Sequence, residues 1–385
     1  MIAYNRKSLD NLAIQYEAME AFDQKLLTPE EYNRIRIAYP FHFYIPNAFI
    51  RLGIFLLTVL AATCALGLFL LMGLGSGERG IGTGLIVLGV ISYGVLELFI
   101  HAQKVYQAGV DDALLWIAGT LVVTGINLTA NHLSPALESF IILLVAVIGA
   151  LRYADRLMTL TAYGALLSLI FYRLAEWGAI ARAILPFVVL ALSAGGYFLF
   201  TRLTAKESLR HYRGCILLLR LGTLVTFYLA GNYYIIREVN ANLSGGQGPV
   251  ALAWLWWLLT TAVPVFYIVK GLQKKDTLFL WTGLGLIAAT IFTVRYYYHV
   301  LPAEWAMIIG GTVLIAGAYG VMRYLKTPKY GFTAETSNDP HLLADLHVEG
   351  IILAESFSAV AAQPADPGVQ FGGGTTGGGG AGGQY

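Results

Sequence analysis

The sequence predicts an all-α fold: a polytopic bundle of about ten transmembrane helices with both termini in the cytoplasm. Three observations predict it. Hydrophobic residues make up 57% of the chain and charged residues 12%, whereas a soluble domain carries roughly 25% charged residues and needs them to cover its surface. Residues 48–325 form a nearly unbroken series of apolar stretches, each close to the roughly 17–25 residues that cross a bilayer as a helix. Basic residues collect on alternate loops. With the N-terminus inside, 19 of the 25 Lys and Arg fall on the cytoplasmic side, five fall outside, and Arg220 lies within a span. That is the bias of the positive-inside rule.

Residues 1–47 read as a cytoplasmic helical hairpin followed by an interfacial segment. Leu12, Ile14, Met19 and Phe22 mark an apolar side of the first helix among charges. In "LLTPEEYNRIRIAY", Thr28 is a good N-cap, Pro29 suits the first helical position, and Glu30 and Glu31 face the positive helix end. Pro40 and Pro46 then break the helix. Tyr39, Phe41, Phe43 and Tyr44 precede the first span, where aromatic rings settle at the headgroup level.

Ten spans follow, at 51–74, 82–100, 110–128, 136–151, 157–175, 179–201, 212–235, 250–269, 277–298 and 303–325. The fourth is the shortest. Only "EWGA" separates the fifth from the sixth, which predicts a tight hairpin. Residues 326–385 leave the membrane as a cytoplasmic tail. Its end, "FGGGTTGGGGAGGQY", has nine glycines in fifteen residues and too little apolar surface to offset the entropy of ordering. A Rossmann or P-loop reading of these glycines fails, because no strand precedes them and no Lys-Ser/Thr follows.

Composition excludes several classes of function. A net charge of +2 argues against a nucleic-acid partner. Cys64 and Cys215 have no CxxC spacing, and the seven histidines form no HExxH pair. No serine–histidine, paired-aspartate or zinc constellation is present, so neither an enzyme nor a bound cofactor is expected. The first apolar stretch begins near residue 50, behind a charged region, too late for the h-region of a cleavable signal peptide.

Ionisable groups within spans are the informative exceptions. Arg220, in "CILLLRLGTL", lies roughly 10 Å from the cytoplasmic edge at 1.5 Å per residue. A charge near a span's centre costs about 2.5–3.5 kcal/mol on insertion scales. Glu97, in "YGVLELFI", lies at similar depth on the same side. One reading pairs Glu97 with Arg220 across a polar cavity; the plainer one has each side chain snorkel to the interface alone. A second cluster is expected at the outer face: Arg173, Glu176, Asn232, Arg295, His299 and Glu304, among many tyrosines. It reads either as an aromatic belt with interfacial charges or as a polar vestibule closed by Arg295 with Glu176 or Glu304. Asp112 and Asp276 each open a span, with Leu two and Gly seven residues later. A duplicated unit would give this pattern; so would two ordinary Asp caps.

The order of four pieces adds a resemblance. "LLTPEEYNRI" is followed by "RLGIFLLTVLAATCALGLFLL", then "TVRYYYHVLPAEWAMIIGG" with "KTPKYGFT", then the glycine-rich end. In this the chain resembles bacterial polytopic membrane proteins that open with a cytoplasmic helical hairpin and have no assigned activity. The resemblance implies the bacterial inner membrane and carries over no substrate or site residue. The expected function is a non-enzymatic membrane scaffold or partner protein, embedded in the lipid bilayer and meeting a membrane-protein partner through its cytoplasmic ends. The alternative is a secondary transporter or channel for a small polar or ionic solute, motivated by the span count, Arg220 and Glu97. Pro186 and Pro264, the prolines well inside spans, do not stand at matching places in two halves, as the broken helices of many transporters do.

Overall fold

The computed structural model describes residues 2–73, 77–244 and 250–298, and isolated positions between 308 and 323. Most of the tenth predicted span and all of the tail, 326–385, lie outside the described residues. Within them the chain is an all-α polytopic membrane bundle with no strand, its only sheet-like pairing a single bridge between Tyr44 and Val105. The N-terminal hairpin is α1 (Arg6–Asp23) and α2 (Pro29–Ala38). Among the described residues, nine helices are long and apolar enough to cross a membrane. They are α3 (Ala48–Met72), α4 (Gly77–Gln103), α5 (Val110–Thr129), α6 (Pro135–Tyr153), α7 (Arg156–Ala175), α8 (Ala179–Thr204), α9 (Arg213–Gly231), α11 (Ala253–Lys274) and α12 (Thr277–Tyr297). A short helix, α10 (Tyr233–Ser244), intervenes after α9.

Local chemistry sets the ends of these helices. Thr28 and Glu31 form a capping box: Glu31 N donates to Thr28 Oγ1 at 3.3 Å and Thr28 N to Glu31 Oε2 at 2.9 Å. Asn47, Ser134, Asp155 and Asp276 cap α3, α6, α7 and α12, each accepting one backbone N–H of the first turn on its side-chain oxygen. Asp112 is not the cap of α5. Gly109 holds that position at φ 93°, and Asp111 accepts from Ala108 N at 2.9 Å and Gly109 N at 3.0 Å. A side chain at Gly109 would be strained by that φ and would also meet the Arg51 carbonyl at 2.3 Å.

Successive spans pack as antiparallel hairpins: α4 with α5, α6 with α7, α8 with α9, and α11 with α12. All four close at the face where the chain enters the bundle, here called the basic face. Small residues bring α4 and α5 together. A Cβ on Gly125 would lie 2.7 Å from the Gly82 carbonyl oxygen, and one on Gly89 would lie 2.7 Å from Val122 Cγ2. In lipid, where apolar side chains gain little by leaving the solvent, such close backbone contact is a main source of helix association. One core joins α4–α7 to the N-terminal segment through Tyr4, Leu96, Ile100, Val105 and Tyr153. A second lies among α9, α11 and α12, around Tyr228, Tyr267 and Leu278. Leu56, Leu57, Leu60, Leu68 and Leu71 of α3 point outward, as suits a helix whose solvent is hydrocarbon.

One expectation changes. The seventh span does not run through 235; the chain turns extended at Asn232 and restarts as the amphipathic α10. The reason is local: Asn232 Oδ1 accepts from Tyr234 N at 2.9 Å and ends one helix while opening the next. The Phe43 ring is taken up by contacts within the protein. It stacks on Tyr106 with centroids 5.3 Å apart and packs edge-on against Tyr4.

Candidate functional site

The polar groups of the spans gather at the two ends of the bundle, and the charged ones gather at the basic face. Glu97 and Arg220 do not pair. Glu97 on α4 accepts from Arg152 Nε of α6 at 2.6 Å and from the Tyr153 hydroxyl at 2.5 Å, with His101 Nδ1 3.6 Å away. Arg220 on α9 donates to Asp276 Oδ2 at the start of α12 at 3.0 Å, lies 3.4 Å from the Tyr197 hydroxyl, and has its guanidinium 5.6 Å from the Tyr197 ring centre. The two belong to different hairpins, and each finds an opposite charge on another hairpin, Glu97 on α6 and Arg220 at the start of α12.

A third pair completes the pattern. Arg51 on α3 donates to Asp112 on α5 from Nη2 at 2.5 Å and from Nε at 3.2 Å. These three ion pairs join α3 to α5, α4 to α6, and α9 to α12. None of them joins the two helices of one hairpin. Two of these clasps tie one hairpin to another, and the Arg51–Asp112 clasp ties the single helix α3 to the α4–α5 hairpin. The Arg220–Asp276 clasp is the most enclosed, with side chains 14% and 22% exposed, so removing either partner leaves a charge in a poor solvent.

The N-terminal segment is fastened to the same face. Ala3 N donates to the Arg152 carbonyl at 2.8 Å. The Tyr4 hydroxyl donates to buried Asp111 at 3.3 Å, and burial followed by the Asp111 charge raises the Tyr4 phenol well above its ordinary range. Tyr44 N donates to the Lys104 carbonyl at 3.2 Å and Tyr106 N to the Tyr44 carbonyl at 3.3 Å. Asp10 of α1 is gripped by Arg210 and by His211 Nε2, the latter at 3.0 Å, both on a 3-10 turn at Glu207–Tyr212 between α8 and α9. The Arg210 bond holds the Asp10 carboxyl below its usual range.

At the opposite face the network is neutral. Asn232 is buried: its Nδ2 donates to the Tyr228 hydroxyl at 2.9 Å and to Thr293 Oγ1 at 3.0 Å, and Tyr233 N donates to Thr260 Oγ1 at 3.0 Å. Asn232 therefore ties α9, α10 and α12 together and lines no vestibule. Arg173 and Glu176 pair with each other at 3.5 Å, both largely exposed. Arg295 has no ion-pair partner among the described residues, so the expected Arg295–Glu176 closure is absent there. His299 and Glu304 lie outside the described residues. Tyr233, Tyr234, Trp257, Tyr296 and Tyr297 form a continuous ring cluster, with Arg237 5.0 Å above the Tyr297 ring centre. This is the geometry of an aromatic belt.

No protein-family model, curated protein or solved structure matches this chain. Among the described residues no group of three or more His, Cys, Asp or Glu is placed to hold a metal ion. A cavity of about 210 Å³ among α5, α6 and α7 is lined by Trp116, Thr120, Thr124, Val145 and Met158, with no charged side chain. Sequence reasoning missed Arg51, Asp111, Arg152 and Tyr4 as members of this site. Arg51 and Arg152 were legible as basic residues at span ends and counted only toward topology; Asp111 stood next to the Asp112 that drew attention.

Proposed function

We propose that this integral membrane protein is a non-enzymatic scaffold of the bacterial inner membrane that meets a membrane-protein partner through its cytoplasmic hairpin. One observation carries the reading: the three Arg–carboxylate pairs tie α3 to a hairpin and neighbouring hairpins to each other, and the same face grips the N-terminal segment at residues 3, 4, 10 and 44, of which Asp10 lies on the helical hairpin itself. A pathway for a solute calls for charged groups free to exchange partners with it; here they brace a platform. The platform holds out Met19, Leu26 and Ile37, which are 50%, 71% and 80% exposed on a module that stands outside the spans. Exposed apolar side chains on such a module are suited to burial against another protein.

The test is purification in mild detergent of the intact chain beside Met19→Ser/Ile37→Ser. A membrane protein that copurifies with the first and is lost from the second supports the scaffold. An identical set of copurifying proteins overturns it. A transporter is the second reading, and it rests on Arg220 Nε, which is enclosed without a hydrogen-bond partner among the described residues. Uptake by sealed vesicles that depends on a proton or sodium gradient, abolished by Arg220→Gln, would favour it.

A further inference from the structure

A cavity of about 350 Å³ lies where the N-terminal segment meets the turn between α8 and α9. That volume falls in the range of small-ligand sites, roughly 300–1,000 Å³. Ile2, Arg6 and Asp10 line it from one side and Ser208, Arg210 and His211 from the other. Its lining sets Arg6 and Arg210 against Asp10 and Glu207, and the positive excess comes from the basic residues that flank it in the two segments. Asp10 Oδ1 serves both Arg210 and His211. Glu207 is 79% exposed and reached only loosely, by Arg210 at 3.9 Å and Arg213 at 3.6 Å. Arg6 has no ion-pair partner among the described residues. Across residues 6–10 and 202–213 the formal charges are Arg6, Lys7, Arg202, Lys206, Arg210 and Arg213 against Asp10 and Glu207, six positive to two negative.

We infer that this cavity binds a phosphate group. Arg6, the Arg210 N–H groups that Asp10 does not take, and the Ser208 hydroxyl supply donors that a phosphate's several oxygens accept, while Asp10 holds Arg210 and His211 in place. Topology alone asks only for basic residues near the membrane edge. It does not ask that Arg6 and Arg210, about two hundred residues apart in the chain, share the wall of one cavity. The turn joins the ends of two spans, so the cavity opens at headgroup level, and Ile2 gives it an apolar side. A phospholipid headgroup and a free phosphate both have the required chemistry. Basic pockets between helices at a membrane edge commonly hold anionic headgroups. Bound there, the phosphate bridges the N-terminal segment to the spans. The inference does not depend on the scaffold reading, because its test uses no protein partner.

The experiment measures thermal unfolding of the full chain in neutral detergent. Titrants are inorganic phosphate, phosphatidylglycerol and phosphatidylcholine, with sodium chloride matching ionic strength. A rise in melting temperature with phosphatidylglycerol but not phosphatidylcholine identifies a headgroup site; a rise with inorganic phosphate above the chloride control identifies a soluble one. Arg6→Gln breaks no ion pair, and Ser208→Ala removes one hydroxyl. Each is expected to weaken the apparent affinity about tenfold, as loss of a charge-assisted hydrogen bond does, while Lys25→Gln, remote from the cavity, leaves it unchanged. No response to either phosphate source overturns the site. So does a response that Arg6→Gln and Ser208→Ala leave intact, or that Lys25→Gln reduces equally.

Discussion

Asp155 illustrates what one residue at the basic face costs and contributes. It caps α7, its Oδ1 accepting from Met158 N at 2.6 Å. Burial pushes its carboxyl up to about 6; the charges of Asp112 and Asp111 add to this, while the Met158 bond and Arg51 pull the other way. An unfolded Asp titrates near 3.9. The folded chain therefore holds the extra proton between about pH 4 and 6. This group's contribution is fully present below about pH 4 and lost as pH rises through about 6. At about 1.4 kcal/mol per pH unit the ceiling is ~3 kcal/mol, and partial exposure brings the expected effect to about 1–2 kcal/mol. Asn at this position keeps the cap and removes the charge. Between pH 4.5 and 7 the unfolding temperature of Asp155→Asn should therefore fall less than that of the native chain. Asp10, held below its usual range by Arg210, acts with the opposite sign in both proteins, so the difference between them isolates Asp155. Equal pH slopes would show that Asp155 ionises freely.

At the scale of elements, the hairpins and the clasps between them make separable predictions. Glu97→Gln and Arg152→Gln should be strongly non-additive, because either change alone strands the other charge, and the double change should cost less than the sum of the two. Arg220→Gln and Asp276→Asn should behave likewise, with the larger single costs, about 3–5 kcal/mol, since that pair is the more enclosed. Glu97→Gln with Arg220→Gln should be additive within about 0.5 kcal/mol. Thermal unfolding of the purified variants measures all three cycles, and coupling between Glu97 and Arg220 would contradict the packing order described above. These elements also show what the sequence made legible. Among the described residues nine spans lie near where apolar length put them, the seventh ending early at Gly231, because length in a bilayer is fixed by a rise of about 1.5 Å per residue. The same rise gives the level expected of Glu97 and Arg220 along their helices. The side of the bundle that each faces depends on which hairpin lies beside which. That order is set by contacts between hairpins, such as Gly119 with Val145, Gly222 with Tyr163 and Gly231 with Leu259, which no local pattern announces. The break at Asn232 was hidden for a related reason: the apolar run continues past it, and the amide that caps α10 through Oδ1 is oriented by its Nδ2 bonds to Tyr228 and, on α12, Thr293.

For the whole molecule, the unsettled quantity is direction. The three clasps, the docked hairpin and the basic cavity share one face, and the neutral Asn232 network and aromatic cluster share the other. The excess of Lys and Arg at the first face makes its translocation across an energised membrane unfavourable, which is the physical content of the positive-inside rule. That face should therefore be cytoplasmic. Cys64 and Cys215 are the chain's own thiols, one exposed within a span and one buried, and both can be replaced by Ala to give a silent background. Into it go Asn33→Cys, on the exposed surface of α2, and Asn242→Cys, on the exposed surface of α10. In intact cells a membrane-impermeant maleimide should label position 242 and spare position 33 until the membrane is permeabilised. Labelling of position 33 alone would invert the molecule. It would place the 350 Å³ cavity, and the flanking segments 6–10 and 202–213 with six positive residues to two negative, on the side where the charge rule disfavours them.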